Sequence, residues 1–292
     1  MESTNLKWIY LAVLSVVWGS SFILIKKSLI GLTPLQLGAL RTLFAAAFLF
    51  LIGIRTIKTI KKRDWKWVVV SGFLGTFIPA FLFAYAETEI DSGIASILNS
   101  TTPLVTLILG AVIFSLGFHR NQLIGVIIGL IGCLFLILEG TSVNPHQNYW
   151  YAFLVLCASV CYALNVNILK RYMQHISPLA IANGNFIALV IPSLIVLLFS
   201  GFFTKNVMTE PEVHKSLLYI SILAVVGTGI AKVLFNKLVQ ISTPVFASSV
   251  TYTIPIVALI WGLLDGEKFT FNQVIAAAVI ILGVYLSNRN SQ

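Results

Sequence analysis

From Lys7 to Ser287 the chain is a succession of apolar runs separated by short polar turns. A helix that crosses a bilayer needs about 20 mostly apolar residues, and ten stretches qualify. They run from Lys7 to Ile25, Thr33 to Ile54, Lys66 to Ala86, Ser92 to Ser115, Gln122 to Leu138, Tyr149 to Leu169, Pro178 to Phe199, Leu217 to Val239, Thr243 to Leu264 and Asn272 to Ser287. Composition agrees: 58% of the 292 residues are hydrophobic and 10% charged, too apolar for a water-soluble domain of this length. The connections leave no room for one. The first run lacks a small-residue cleavage site and leads straight into the second, so it is expected to be retained rather than removed as a signal peptide.

Two of the runs follow one plan. Ser92 to Phe114 reads SGIASILNSTTPLVTLILGAVIF and Thr243 to Leu264 reads TPVFASSVTYTIPIVALIWGLL: small residues, a polar knot, a proline, then an apolar stretch. Pro103 matches Pro255 (255 − 103 = 152), and Gly132 matches Gly283 (283 − 132 = 151). Earlier in each half Pro34 matches Pro178 (178 − 34 = 144), so the second half has gained residues in a loop within Gly201 to Lys215. This is an internal duplication. Each half holds five spans, an odd number, so the halves cross the membrane in opposite senses. The expected fold is an all-α integral membrane protein of about ten transmembrane helices in two inverted five-helix repeats. Residues 1–138 form the first repeat, 139–148 an external linker with Pro145, and 149–292 the second repeat. Such inverted repeats place a site near the bilayer midplane between the halves.

Basic loop residues stay on the cytoplasmic side. With both termini cytoplasmic, only Lys26, Lys27, Lys205, Lys215 and Lys268 fall in outer loops, and Arg41 and Lys232 fall within spans. The remaining lysines and arginines lie inside, the segment from Arg55 to Lys66 densest among them. That segment reads as an electrostatic tether to anionic headgroups. The net charge of +9 is thereby explained by topology, and no nucleic-acid partner is expected. Cys133, Cys157 and Cys161 all lie in spans, which implies no disulfide framework.

Polar groups inside spans are expensive, so their default orientation is inward. Ser15, Trp18 and Ser21 share a face of the first helix, lining a cavity or packing in a glycine groove. Arg41 faces a partner or wet cavity, or snorkels outward to an acid such as Glu87. Phe77, Phe81 and Tyr85 stand at near-helical spacing in the third span, where Tyr85 carries a hydroxyl that wants a partner. Asn99, Ser100, Thr101 and Thr102 precede Pro103 and can repair the hydrogen bond that a proline breaks, although Asn99 is harder to assign to repair. Gly125, Gly129 and Gly132 make a packing face. The sixth span offers Tyr162 and Asn165, with Asn167 on another face. Asn183 and Asn185 of the seventh point apart. Thr228, Lys232 and Asn236 at i, i+4 and i+8 give the eighth span a polar stripe. Ser248, Ser249, Thr251 and Tyr252 repeat the polar knot before Pro255.

These residues resemble the drug/metabolite transporter superfamily, and within it the ten-helix EamA-type transporters. The likeness rests on Trp18-Gly19-Ser20-Ser21-Phe22, on Leu40-Arg41 with Ala45-Ala46-Ala47, and on the two small-rich helices with a central proline. Asp265-Gly266-Glu267-Lys268 is similar to the family's Gly-Glu turn, whose Glu is missing from the first copy, Leu116-Gly117-Phe118-His119. The resemblance implies an inner-membrane carrier of small metabolites, often an exporter of amino acids, with its cavity between the halves. It carries over no catalytic signature.

The expected function is alternating-access transport of an anionic or zwitterionic metabolite within a lipid bilayer. The expected substrate-binding residues are Trp18, Ser21, Arg41, Tyr85, Asn99, Thr102, Tyr162, Asn165, Thr228, Lys232, Asn236 and Tyr252. Aromatic residues among them suit a multidrug exporter as the alternative, and a lipid-handling or scaffold protein is a further one. No catalytic residue, metal or cofactor is expected, because the spans contain no histidine and no central carboxylate. For the same reason transport is expected to be independent of protons, with Glu87 and Glu139 as fallback proton sites. Oligomeric state is left open.

Overall fold

The structure is a computed structural model that describes residues 2–114, 124–125, 127–129, 131–132, 134–135, 138–139, 148–204, 210–267 and 270–288. Every regular element among them is helical. Among the described residues eight helices are long and apolar enough to cross a membrane: α1 (Leu6–Ser28), α2 (Pro34–Thr59), α3 (Lys62–Ala86), α4 (Ser92–Phe114), α6 (Tyr149–Tyr172), α7 (Pro178–Phe199), α8 (Pro211–Ile241) and α9 (Pro244–Leu264). The helical residues between 124 and 139 belong to α5, and α10 (Phe271–Asn288) contains a shorter apolar stretch, Phe271–Gly283. Most of the expected linker at 139–148, residues 115–123 and 205–209, Cys133 and Lys268 lie outside the described residues. This is a multi-pass membrane protein.

Three helix starts follow one recipe. Thr33, Ser177 and Thr243 each accept a hydrogen bond from a first-turn N–H of α2, α7 and α9, and Pro34, Pro178 and Pro244 follow them. A proline there costs nothing, because its missing N–H has no intrahelical partner in any case. At Thr33 the Gln36 side chain reaches back to the cap N–H, closing a capping box.

The two polar knots interrupt α4 and α9. In α4 the helix breaks between Asn99 and Thr102; in α9 Ser249–Tyr252 tightens to a 3-10 turn. The hydroxyls cap the loosened carbonyls. Ser100 Oγ donates to Ile97 O at 2.5 Å, Thr101 Oγ1 to Leu98 O at 2.8 Å and Thr102 Oγ1 to Asn99 O at 2.7 Å. In α9 Ser249 Oγ donates to Phe246 O at 2.7 Å and Thr251 Oγ1 to Ser248 O at 2.9 Å. The repair expected around Pro103 is therefore present, and α9 has the same device.

Two further irregularities occupy α3 and α8. Each widens to π-helix, at Phe73–Phe77 and at Leu223–Ile230, and each contains a Gly-Thr pair, Gly75-Thr76 and Gly227-Thr228. A π turn weakens the regular ladder and leaves carbonyls for other donors, which is why such turns recur at functional places.

Packing crosses between the two lengths of chain. Helix α2 lies against α7 and α8, α3 and α4 against α6, and α1 against α8 and α9. Glycines allow a close approach of α5 and α10. A Cβ on Gly283 would stand 2.4 Å from Gly129 N and 2.6 Å from Gly125 O, and one on Gly132 would meet Ile280. The glycine face of α5 is thus a packing face.

Candidate functional site

Seven helices enclose a cavity of about 90 Å³. Trp18 and Ser21 come from α1, Arg41 from α2, Gly75 and Thr76 from α3, and Asn99 and Thr102 from α4. Tyr162 and Asn165 come from α6, Gly227, Thr228 and Lys232 from α8, and Ser248 and Thr251 from α9. Apolar parts of the wall include Phe22, Phe83, Val166 and Phe235. The irregular turns supply many of the polar groups: both π turns and both broken helices reach this wall.

Each π turn offers its glycine carbonyl to a donor on another helix. Lys232 Nζ donates to Gly75 O at 3.2 Å, and Trp18 Nε1 donates to Gly227 O at 3.0 Å. Arg41 Nε donates to Thr228 Oγ1 at 2.8 Å, and that hydroxyl donates on to Leu223 O at 3.2 Å. Ser71 Oγ donates to Asn165 Oδ1 at 2.7 Å, which turns the Asn165 amide nitrogen toward Gly75. Thr76 Oγ1 is buried without a protein partner.

Charge in this chamber has one sign. Arg41 is 9% exposed and Lys232 5%. The ion pairs among the described residues join Lys26 and Lys27 to Asp265 and Glu267, and Asp64 to Arg63 and His175. None includes Arg41 or Lys232. Arg41 and Lys232 are thus two buried basic side chains held by neutral oxygens, with no carboxylate within ion-pair distance among the described residues. Glu87 is therefore not the direct partner of Arg41.

Nine expected site residues line the cavity together: Trp18, Ser21, Arg41, Asn99, Thr102, Tyr162, Asn165, Thr228 and Lys232. Three lie elsewhere. Tyr85 is 37% exposed, on the outer surface of α3. Asn236 is buried, but it is not part of the cavity wall and donates to Pro178 O at the start of α7 at 3.3 Å. Tyr252 packs against Leu104. Ser15, on the expected face of α1, instead hydrogen-bonds Thr253 Oγ1 of α9. Asn167, Asn183 and Asn185 donate to backbone carbonyls within the helix packing. Sequence reasoning missed Gly75 and Thr76; their likeness to Gly227-Thr228 was the available signal.

A second cluster closes one end of the bundle. Lys26 Nζ lies 2.8 Å from Glu267 Oε1 and 3.0 Å from Asp265 Oδ2, and Lys27 pairs with Asp265 as well. Glu267 also accepts from Ser92 Oγ at 2.5 Å and from the N–H groups of Ser92 and Gly93 at 3.2 Å. One carboxylate thus fastens the end of α1, the start of α4 and the turn after α9, with the dipole of α4 favouring its charge. Among the described residues no group of His, Cys, Asp and Glu could hold a metal ion.

Comparison with known proteins places the chain. The model of the EamA-like transporter family matches residues 6–138 and 149–289. An uncharacterized transporter of Archaeoglobus fulgidus is 26% identical over 281 residues, spanning 96% of this chain and 98% of its own. The uncharacterized inner membrane transporter YedA of Escherichia coli K12 is 26% identical over 278 residues, 94% of this chain and 87% of its own. A probable amino-acid metabolite efflux pump of Salmonella typhimurium is 29% identical over 286 residues, 93% and 91% of the two chains. A solved crystal structure, 15% identical, shares the fold with a TM-score of 0.68 over 99% of this chain and 96% of its own. With the family model matching both lengths of chain and the cavity walled by residues from each, this protein belongs to the EamA-like transporter family.

Proposed function

We propose that the protein exports small metabolites bearing a carboxylate, amino acids among them, by alternating access around the cavity between its halves. The observation that carries this reading is the pairing of Arg41 and Lys232 in one chamber without a carboxylate. A substrate carboxylate supplies the missing charge, and Asn99, Thr76 and Thr102 offer neutral hydrogen-bonding groups beside it. The relative named as a probable amino-acid metabolite efflux pump supports the same substrate class. The chain acts as a carrier and not as an enzyme, with a small molecule and the bilayer as its partners and no nucleic acid.

Its architecture in this reading is ten spanning helices in two inverted repeats, 1–138 and 149–292, joined outside the cell and with both termini in the cytoplasm. The paired π turns and paired broken helices support it, since among the described residues each device occurs once in each repeat. Rocking of the halves exposes the same cations to either side in turn.

Proteoliposomes loaded with radiolabelled amino acids test the proposal. Efflux that Lys232→Met and Arg41→Ala both reduce is the expected result; unchanged efflux in both variants refutes the role of the cations. A second reading, export of lipophilic aromatic compounds, draws on Trp18, Phe22, Phe83, Tyr162 and Phe235 in the wall. It predicts efflux of a neutral aromatic dye that amino acids do not compete away.

A further inference from the structure

Glu87 follows α3 directly and is 7% exposed, yet neither carboxylate oxygen has a hydrogen-bond partner. Its neighbours in sequence, Ala84, Ala86 and Ile90, are part of the same apolar core as Phe22, Leu37 and Phe83. An ionised carboxylate is very costly in such surroundings unless donors or a cation compensate it. The charges that act on it come from three other elements: Glu267 beyond α9, Arg41 of α2 and Lys26 of α1. The two cations are engaged elsewhere, Lys26 with Asp265 and Glu267, and Arg41 Nε with Thr228. Burial first, and the Glu267 carboxylate second, push the Glu87 carboxyl well above the usual carboxylate range, against the pull of Arg41 and Lys26.

We propose that Glu87 is a proton-binding site that governs the ion-paired end of the bundle: this end closes only when the Glu87 carboxylate has taken a proton. The step transfers one proton from water to a carboxylate oxygen, giving a neutral acid that the apolar core accepts; reopening hydrates the group and returns the proton to water. Glu87 stands electrostatically between the Lys26–Asp265–Glu267 cluster and Arg41 of the cavity, so its charge is felt at both the latch and the substrate site. The inference rests on the carrier reading above and adds proton linkage, in place of the proton-independent transport expected from a sequence in which Glu87 looks like a loop residue.

The test uses the full chain in lipid nanodiscs and needs no substrate. Infrared spectroscopy at neutral pH should show the carbonyl stretch of a protonated carboxylic acid. Glu87→Gln should remove it, Glu139→Gln should keep it, and Glu87→Asp should retain it at a shifted frequency. Spin labels on cysteines at Thr88 and Phe271, both exposed at the latched end, should move apart when the pH is raised in the wild type, with its native cysteines replaced. In Glu87→Gln they should stay close as the pH is raised. Absence of the acid band, a band untouched by Glu87→Gln, or an unaltered pH response in that variant overturns the proposal. Loss of amino-acid efflux with these signals intact would instead count against the substrate reading alone.

Discussion

Lys232 Nζ of α8 lies 3.2 Å from the carbonyl oxygen of Gly75 in the π turn of α3, joining the two lengths of chain across the cavity. A neutral carbonyl holds the Lys232 amine in place without supplying a counter-charge, so the geometry is set before a ligand arrives. Lys232→Met keeps most of the length of the side chain and removes the amine. A hydrogen bond to a charged group contributes about 1.5–3 kcal/mol, so affinity for a carboxylate ligand should fall roughly 10- to 100-fold. Isothermal titration in detergent measures it, with folding checked by retained thermal stability.

Gly75→Ala probes the same contact from the other side. The added Cβ would come within 2.5 Å of both Asn165 Nδ2 and Lys232 Nζ. Both are the ends of flexible or semi-flexible side chains, so the fold can absorb the methyl group by moving them. The expected outcome is a melting temperature close to wild type with transport strongly reduced, since small displacements of binding groups are costly to function. Gly227→Ala, whose Cβ would meet Ser21 Oγ at 2.7 Å, should behave likewise.

The sequence exposed the parts of this site that carry charge or amide groups, because a polar residue inside a twenty-residue apolar run has few places to go. Arg41, Asn99, Asn165 and Lys232 were found that way. Gly75 and Thr76 carry no such mark: a glycine and a threonine in an apolar helix read as packing, and the π turn that gives them a role follows from tertiary fit. Glu87 was misread for the opposite reason. Followed by Thr88, Glu89 and Asp91, it looks like part of a solvated turn, and only its burial in the folded chain decides otherwise. Tyr85 was placed with the cavity by a spacing argument that cannot tell which face of α3 turns inward.

Gly283→Ala tests the seam between α5 and α10. Its Cβ would lie 2.4 Å from Gly129 N and 2.6 Å from Gly125 O, both backbone atoms that no rotamer change can move. The helices would have to separate, and overpacking of this kind costs about 1–3 kcal/mol. A lowered melting temperature in detergent is expected. Gly266→Ala is a useful contrast: nothing lies within 4 Å of its Cβ, but its φ of 86° belongs to the left-handed region, so its smaller cost should come from backbone strain alone.

The ion-paired end should open in acid by a route separate from Glu87. Burial pushes the Asp265 carboxyl up, but its contacts with Lys27 and Lys26 outweigh this and hold it below its ordinary value. A depressed carboxylate adds stability above its unfolded pKa of about 3.9 and loses it as pH falls through the lower folded value. Glu87 has the opposite sign: its raised value favours the closed form at low pH and withdraws that support as pH rises through it. Closure should therefore fail at both extremes. Asp265→Asn should weaken the latch by about 1 kcal/mol or less, as partly exposed pairs do. Glu267→Gln should weaken it more, because that carboxylate is nearly inaccessible and also accepts from Ser92 and Gly93. The distance between spin labels at Thr88 and Phe271, followed from strongly acidic to alkaline pH, should pass through a minimum between the two limits. Asp265→Asn should remove the acid limb while leaving the alkaline one, and Glu87→Gln should do the reverse.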